Sequence, residues 1–234
     1  MNAVSAILGD WASNKIGRVV DYVRFAYVQR VSGFTVSDQP EFEAACVPFF
    51  LECLAVATSY LEFGAGGSTV LAAMHGMRMT TVESDKHFLA AVKRKLTSLG
   101  RFDRQKQDLL AVDIGVTEAW GAPLMRTPTP ARVARWRRYP SAPWAAMEHL
   151  PGPHLVLVDG RFRVACALSA ARFLIGREGA ILIDDYMDRE HYYVVERHLE
   201  RVRNVGRMAL FRVRPDVDRV QLDADIEAHY ADWR

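Results

Sequence analysis

The sequence lacks the features that mark membrane, secreted and nucleic-acid-binding proteins. No apolar run among its 234 residues approaches the roughly 20 residues that a membrane span needs. Residues 1–10 contain no basic residue, so we expect no signal peptide. The 30 basic and 28 acidic residues leave a net charge of only +2. A dedicated nucleic-acid binder would be expected to carry a larger, clustered basic excess, so this class is disfavoured.

Cysteine is also scarce. Cys46, Cys53 and Cys166 lie among apolar residues and form no CxxC pair. This pattern is typical of reduced, buried thiols and provides no zinc-ligand spacing. We therefore expect a cytoplasmic protein.

Half of the residues are hydrophobic and a quarter are charged, which suits one large α/β domain better than two small cores. We treat residues 1–234 as a single domain, with helices in residues 1–55 and an α/β core in residues 56–222. Apolar residues recur at helical spacing over residues 10–30, which predicts an amphipathic helix. A second helix is predicted to start near Pro40, with a kink or an early end at Pro48.

Strand and helix patterns alternate from residue 57 onward. The helices between the strands are predicted over residues 68–75, 84–99 and 164–175, and residues 208–213 and 219–222 are predicted to form an edge pair. The predicted core strands are residues 57–63, 79–83, 106–113, 154–159 and 180–184. Continuous apolar runs in such strands indicate cover by helices on both faces. The pattern predicts an open, mostly parallel α/β sheet.

Residues 117–150 interrupt this alternation. The segment is rich in proline, tryptophan and arginine and has no acidic residue between Ala119 and Met147. A long insertion of this kind within a compact domain is usually functional or disordered. Its aromatic residues favour a packed, lid-like segment.

Glycines or acidic residues follow five of the predicted strands. They are Gly64 with Gly66, Glu83, Asp113, Asp159, and Asp184 with Asp185. Ligands of open α/β sheets bind outside the carboxyl ends of the strands. One acidic residue after a strand often only caps the next helix, but five such ends on one rim predict a ligand site.

The turn after the first strand is not a dinucleotide fingerprint. Gly64 and Gly66 permit a close backbone approach, and Ser68 is placed to cap the next helix. A nicotinamide-binding turn would have a third glycine at position 69, where this sequence has Thr69.

Two segments resemble the motifs of a known family. Residues 61–69, Leu-Glu-Phe-Gly-Ala-Gly-Gly-Ser-Thr, are similar to the first motif of class I S-adenosylmethionine (SAM) methyltransferases, and residues 81–85 resemble the second. The resemblance implies a Rossmann-like, seven-stranded fold with an N-terminal helical extension, and a turn that contacts the methionine part of SAM. It also implies that Glu83 binds both ribose hydroxyls. The residues expected at the cofactor are Glu62, Gly64, Ala65, Gly66, Ser68, Thr69, Glu83, Ser84, Asp113 and Asp159.

The acids after the fourth and fifth strands resemble those of metal-dependent O-methyltransferases related to the catechol, caffeoyl-CoA and macrocin enzymes. Three carboxylates, Asp159, Asp184 and Asp185, are expected to lie close together, and a hard cation such as Mg²⁺ relieves their repulsion. Arg161 and Arg163 follow Asp159 directly and can instead pair with these carboxylates. A metal site and an arginine–aspartate network both remain open.

Candidate residues for catalysis and substrate binding follow from this arrangement. Asp159 lies near the expected methyl group, and His191 is the best-placed histidine if a base is needed without a metal. The five arginines of residues 117–150, together with Arg161 and Arg163, favour an acidic or phosphorylated ligand. Aromatic side chains can stack on a flat acceptor. The predicted substrate residues are Arg161, Arg163, Trp120, Trp144 and Tyr186.

The sequence therefore predicts a SAM-dependent methyltransferase that acts on a small molecule, at oxygen of an acidic or hydroxylated acceptor. A catalytically inactive binding or scaffold protein is the main alternative. An RNA methyltransferase and an NAD-dependent oxidoreductase are disfavoured by the near-neutral charge and by Thr69. No membrane or nucleic-acid partner is expected, and a homodimer remains open.

Overall fold

Seven strands form one open sheet in the computed structural model, which describes residues 17, 19–147 and 152–234. Their order across the sheet is β3-β2-β1-β4-β5-β7-β6. The strands are β1 Ser59–Phe63, β2 Arg78–Glu83, β3 Gln107–Ala111, β4 Leu155–Val158, β5 Ala180–Ile183, β6 Leu199–Val205 and β7 Met208–Val213.

The first five strands are parallel, and β7 runs antiparallel to both β5 and β6. All four residues of β4 and the last three of β5 are buried, because helices cover both faces of the sheet. This architecture confirms the predicted open, mostly parallel seven-stranded sheet. Within the described residues, no helix is long and apolar enough to cross a membrane.

Helices flank the sheet on both sides. Residues 19–27 form α1, which continues into a π-helical turn at Val28–Ser32. The part of the predicted first helix before residue 17, and residue 18, lie outside the described residues. The other α-helices are α2 Cys46–Val56, α3 Gly67–Met74, α4 Lys86–Ser98, α5 Pro130–Trp136, α6 Arg138–Ser141, α7 Trp144–Met147, α8 Arg163–Leu174 and α9 Arg219–His229, with 3-10 helices at Ala119–Gly121 and Glu190–Arg197.

The predicted start of the second helix near Pro40 is wrong, because α2 begins six residues later, at Cys46. Pro48 therefore lies in the first turn of α2, where its missing N–H has no intrahelical partner to lose. The predicted kink is absent for the same reason. Residues 35–41 instead run in irregular conformation along the carboxyl edge of the sheet.

The predicted strand at residues 219–222 is also wrong, because this segment begins α9. The Asp218 side chain accepts hydrogen bonds from the backbone N–H groups of Val220 and Gln221, at 2.9 and 3.1 Å, and so caps the helix. The antiparallel partner of β7 is β6, whose five middle residues are exposed or nearly so. Its surface position at the sheet edge leaves no alternating apolar pattern.

The inserted segment packs against the core through its aromatic residues. Trp136 and Tyr139 are each 1 % exposed, and the indole N–H of Trp136 donates to the Ile114 carbonyl at 3.1 Å. The short helices α5, α6 and α7 lie in the described part of this segment, residues 117–147. These contacts place the segment beside the carboxyl ends of the strands.

Candidate active site

A cavity of about 1080 Å³ lies at the carboxyl ends of β1, β2, β4 and β5. Its walls come from the glycine turn after β1, the acid after β2 and the acids after β4 and β5. Residues from the irregular segment 35–41 and from the 3-10 turn Ala119–Gly121 also line the cavity. The sequence predicted a ligand site formed by five strand ends, and four of these ends line the cavity.

Close backbone contacts require glycine at two positions of the turn, 64 and 67. Gly64 has φ +98°, and a Cβ there would lie 2.7 Å from the Gly160 nitrogen. A Cβ on Gly67 would lie 2.1 Å from the carbonyl carbon of Gln39. Gly66 has open space at the same position, so this residue is the one that leaves room for a ligand beside the backbone.

Glu62 and Thr69 lie beneath the turn and do not line the cavity, which corrects their prediction as direct cofactor contacts. Both are 0 % exposed. The Glu62 carboxylate accepts hydrogen bonds from the hydroxyls of Tyr60, Ser68 and Thr81 at 2.8–2.9 Å. Burial raises the pKa of Glu62, and these hydroxyls oppose the rise. Thr69 accepts from the Gly66 N–H at 2.9 Å, so it closes the turn.

Glu83 faces the cavity from the end of β2, beside the glycine turn. Its Oε2 accepts from the Ala65 N–H at 2.9 Å. Its Oε1 accepts from the backbone N–H groups of Ser84 and Asp85 at 2.7 and 2.8 Å and from the Ser84 hydroxyl at 3.1 Å. Burial raises the pKa of Glu83, and these donors oppose the rise.

Glu83 retains some capacity for a ligand. A carboxylate offers about four acceptor positions, and among the described residues only the Ala65 N–H donates to Oε2. The Ser84 hydroxyl lies 3.0 Å from the Gly121 carbonyl, so it has a second acceptor if a ligand displaces it from Oε1. One position for a ligand hydroxyl is therefore available on Oε2, and a shift of the Ser84 hydroxyl would relieve Oε1, which otherwise accepts from three donors.

A buried glutamine connects the N-terminal helix to Asp85, two residues after Glu83. Gln29, 8 % exposed, donates from Nε2 to Asp85 Oδ2 at 2.6 Å and to the Thr117 hydroxyl at 3.2 Å. The other Asp85 oxygen caps α4 through the N–H groups of His87 and Phe88. Sequence analysis missed Gln29, because one glutamine in an amphipathic helix carries no signal of its own.

Arg163, at the start of α8, joins the ends of β4 and β5. Its side chain is 4 % exposed. It donates to Asp159 Oδ1 and to Asp185 Oδ2, both at 3.0 Å. It also donates to the carbonyls of Gly160, Asp184 and Asp159 at 3.1, 2.6 and 3.2 Å. Burial lowers the pKa of Arg163, but the charges led by Asp159 outweigh it and raise the pKa.

This network corrects two predictions. The five hydrogen bonds use all five N–H donors of Arg163, so none is left for a substrate. The predicted metal ligands Asp159, Asp184 and Asp185 do not fit a metal ion, because the guanidinium lies against two of them. Among the described residues, no group of three or more acidic, histidine or cysteine side chains is arranged to hold a metal.

Asp184 differs from its two neighbours. It is 2 % exposed, and neither carboxylate oxygen accepts a hydrogen bond from the described residues. The nearest cation is Arg207 Nε, 3.8 Å from Oδ1. Burial, followed by the charges of Asp159 and Asp185, raises the pKa of Asp184 to about 7. Burial likewise raises the pKa of Asp159, and Arg163 opposes that rise.

The structure brings most of the other predicted site residues together. Arg161 donates from Nε to the Trp120 carbonyl at 2.9 Å. Its terminal nitrogens donate to none of the described residues, and burial lowers its pKa. Trp120 is 71 % exposed and has φ +64°. The predicted residues that line the cavity are Gly64, Ala65, Gly66, Ser68, Glu83, Ser84, Trp120, Asp159, Arg161, Arg163, Asp184 and Asp185.

Besides Glu62 and Thr69, four predicted residues lie outside the cavity wall. Asp113 is solvent-exposed, 3.8 Å from Arg135. Trp144 stacks on Phe173, and Tyr186 is fully buried with its hydroxyl donating to Glu196. His191 is exposed in the 3-10 helix, where burial and the charge of Arg234 lower its pKa.

The cavity also contains residues that sequence analysis missed. Phe25, Phe34, most of residues 35–41, Tyr139 and Arg207 also line the cavity. Their segments carry no motif. Gly160 was the one detectable signal, because the Asp159-Gly160 pair follows a predicted strand. A Cβ there would lie 2.3 Å from the Tyr139 hydroxyl oxygen.

The sheet order, the glycine turn and the acid after β2 together define a methyltransferase-type α/β fold. The solved structure of a methyltransferase-like protein from Silicibacter pomeroyi is 32 % identical in sequence. The match has a TM-score of 0.72 and covers 84 % of this chain and 100 % of that one. A putative O-methyltransferase from Klebsiella pneumoniae is 15 % identical over 75 % of this chain and 84 % of its own, with a TM-score of 0.46. No family model and no curated protein matches the sequence.

The chain therefore belongs to the class I SAM-dependent methyltransferase superfamily. The family resemblance of residues 61–69 and 81–85 is confirmed, and membership supports a methyltransferase enzyme.

Proposed function

We propose that this protein transfers the methyl group of SAM to an oxygen atom of a small hydroxylated or acidic molecule. The observation that carries the proposal is that the glycine turn and the Glu83 carboxylate face one cavity of about 1080 Å³. Such a volume lies slightly above the usual range for small-molecule sites. It leaves room for an acceptor beside a cofactor.

The order of the strands indicates where the cofactor and the acceptor would lie within the cavity. A ribose at Glu83 lies at the end of β2, and the turn after β1 is the next strand end along the rim. The ends of β4 and β5 follow. With neighbouring strands about 4.8 Å apart, Glu83 and Asp184 are separated by three steps, or roughly 14 Å. The methionine part of SAM therefore falls between β1 and β4, and the acceptor falls near β5.

Charge in the cavity supports an acidic group on one of the ligands. Arg161 lines the cavity, and its terminal nitrogens donate to none of the described residues while its Nε bonds the Trp120 carbonyl. A guanidinium in this state binds a carboxylate or phosphate well. The carboxylate of SAM and an acidic substituent on the acceptor are both suited to it.

Isothermal titration with S-adenosylhomocysteine tests the cofactor part of the proposal. The wild type should bind, and Glu83→Gln should bind about ten- to a hundredfold more weakly, because a charged acceptor of a ligand hydroxyl contributes roughly 1.5–3 kcal/mol. Glu52→Gln is the matched control, since Glu52 is exposed and pairs with Arg203. It should bind like the wild type.

Absence of binding to the wild type would contradict the proposal outright. Equal binding by the wild type and Glu83→Gln would show that the ribose lies elsewhere. Circular dichroism of each variant checks that the fold is retained.

A further inference from the structure

One carboxylate in the cavity wall accepts no hydrogen bond from the part of the chain that the structure describes. Asp184 is 2 % exposed and lines the cavity, yet neither of its oxygens accepts a hydrogen bond from the described residues. Arg163 bonds the side chains of Asp159 and Asp185 at 3.0 Å each and reaches only the backbone carbonyl of Asp184. Buried polar groups almost always have partners. A buried carboxylate without one, in the wall of a ligand cavity, indicates that the ligand supplies the donor.

The charge around Asp184 indicates which kind of donor. The ends of β4 and β5, the loop after β5 and the β6–β7 turn contribute four carboxylates and four arginines to the cavity. These residues are Asp159, Asp184, Asp185, Asp188, Arg161, Arg163, Arg189 and Arg207. The formal charges cancel, so this end of the cavity has no net attraction for a metal ion or an ammonium group. A neutral donor fits it better.

The neighbouring arginine adds a complementary donor. Arg207 Nε lies 3.8 Å from Asp184 Oδ1 and 2.9 Å from Asp185 Oδ1. The Nε atom is buried, and beyond the ion pair with Asp185 it makes no hydrogen bond with the described residues. A hydroxyl group can both donate to Asp184 and accept from Arg207 Nε, because its oxygen does both. A primary ammonium group can only donate, and a carboxylate can only accept.

We propose that Asp184 binds the hydroxyl group of the methyl acceptor and takes its proton during transfer, while Arg163 supplies the positive charge that holds the carboxylate cluster together. This inference rests on the proposed SAM-dependent function. It assigns the acceptor as a hydroxyl compound and the reaction as independent of a divalent cation.

The step balances as follows. The hydroxyl oxygen forms a bond to the methyl carbon, and the carbon–sulfur bond breaks with its electron pair going to sulfur. The O–H proton passes to the Asp184 carboxylate and then to solvent. The products are a methyl ether, S-adenosylhomocysteine and the proton.

The test uses the full chain in the presence of EDTA. Methyl transfer from labelled SAM is measured with a panel of phenols and benzyl alcohols, and with the corresponding anilines and benzoic acids. Asp184→Asn keeps the shape of the side chain but cannot take a proton. Asp223→Asn is the control, because Asp223 is exposed and pairs with Arg172 outside the cavity.

We expect turnover only with hydroxyl compounds. Asp184→Asn should lower kcat at least about a hundredfold, within the range for loss of a general base, with S-adenosylhomocysteine affinity within about twofold of wild type. Added formate should restore part of the activity of Asp184→Ala, in which space for a small acid is opened, and a purely structural role would give no such rescue.

Three results would overturn the inference while leaving the proposed cofactor site intact. They are transfer only to amines or carboxylates, S-adenosylhomocysteine binding without turnover of any hydroxyl compound, and wild-type kcat in Asp184→Asn. Loss of activity in EDTA that Mg²⁺ restores would overturn the role given to Arg163. Failure of the wild type to bind S-adenosylhomocysteine would instead remove the proposed function.

Discussion

The Arg163 guanidinium fixes the distance between the ends of β4 and β5, since it bonds backbone and side-chain oxygens on both. Its burial is tolerable because every N–H group has an acceptor. Because this cation belongs to a side chain, it cannot dissociate into solvent as a bound metal ion can. Loss of the side chain would leave Asp159, Asp184 and Asp185 close together with less compensating charge.

The first prediction concerns Arg163→Met, which removes the charge and keeps much of the side-chain volume. We expect the free energy of unfolding to fall by about 3–5 kcal/mol, the usual effect of breaking a buried ion pair. The three carboxylates should then bind Mn²⁺, because oxygen ligands suit a hard cation. Chemical denaturation and electron paramagnetic resonance of free Mn²⁺ measure the two effects.

Arg172→Met serves as the control, because Arg172 pairs with Asp223 on the surface and should change stability by less than about 1 kcal/mol. Mn²⁺ binding by the wild type equal to that of Arg163→Met would contradict the prediction. So would equal stability of the two methionine variants.

At the scale of elements, hydrogen bonds link the N-terminal helix to the cofactor side of the cavity. Gln29 bonds Asp85, and the Asp85 N–H bonds Glu83. Phe25, one turn earlier in α1, lines the same cavity. The position of α1 and the orientation of the Glu83 carboxylate are therefore linked through two hydrogen bonds.

The second prediction is that Gln29→Ala lowers the free energy of unfolding by about 1–3 kcal/mol, since Asp85 Oδ2 loses its buried donor. It should also weaken S-adenosylhomocysteine binding several-fold and reduce hydrogen-exchange protection in residues 19–32. Gln105→Ala, at an exposed position, should leave all three measurements unchanged. Normal exchange protection in Gln29→Ala would show that α1 is held by its apolar contacts alone.

Local patterns predicted the elements whose signals lie within a few residues. The glycine turn, β2 and the helix predicted over residues 84–99 were found because turn residues, an apolar run and a helical apolar pattern follow one another directly in sequence. β6 was missed because an exposed edge strand carries charged residues on both faces. Residues 219–222 were misread because Val220 and Leu222 fit a two-residue period over so short a span, while the Asp218 cap was overlooked.

The site was predictable at the strand ends and less so between them. Parallel strands bring their carboxyl ends to one rim, so the positions of Glu83, Asp159 and Asp184 followed from the order of the elements. Whether Arg163 or a metal ion neutralises the acids depends on the rotation of α8, which composition does not reveal. The contacts of Gln29 and Arg207 join segments far apart in the chain, and no local pattern encodes them.

For the molecule as a whole, Asp184 makes stability depend on pH. Burial raises its pKa to about 7 in the folded protein, compared with about 3.9 in an unfolded chain. The folded state then holds the proton more tightly. The associated stabilisation is complete below the unfolded pKa and is lost as pH rises through the folded one, at up to roughly 1.4 kcal/mol per pH unit.

The third prediction is that the stability of Asp184→Asn relative to wild type increases as pH rises from about 4 to 7. The groups that face Asp184 are Asp159, Asp185, Arg163 and Arg207, and all are retained in the variant. Urea unfolding across this range measures the difference, with Asp223→Asn as the control. A constant difference across the range would mean that Asp184 is already ionised in the folded protein at low pH.

The contacts of the Glu62 carboxylate affect the entropy that is lost when a ligand binds. It binds hydroxyls from β1, β2 and α3 at once, so the glycine turn above it is set in shape when the chain folds. Little conformational freedom remains to be removed from this turn at each encounter. The ordering entropy is lost once per folding event rather than once per catalytic cycle.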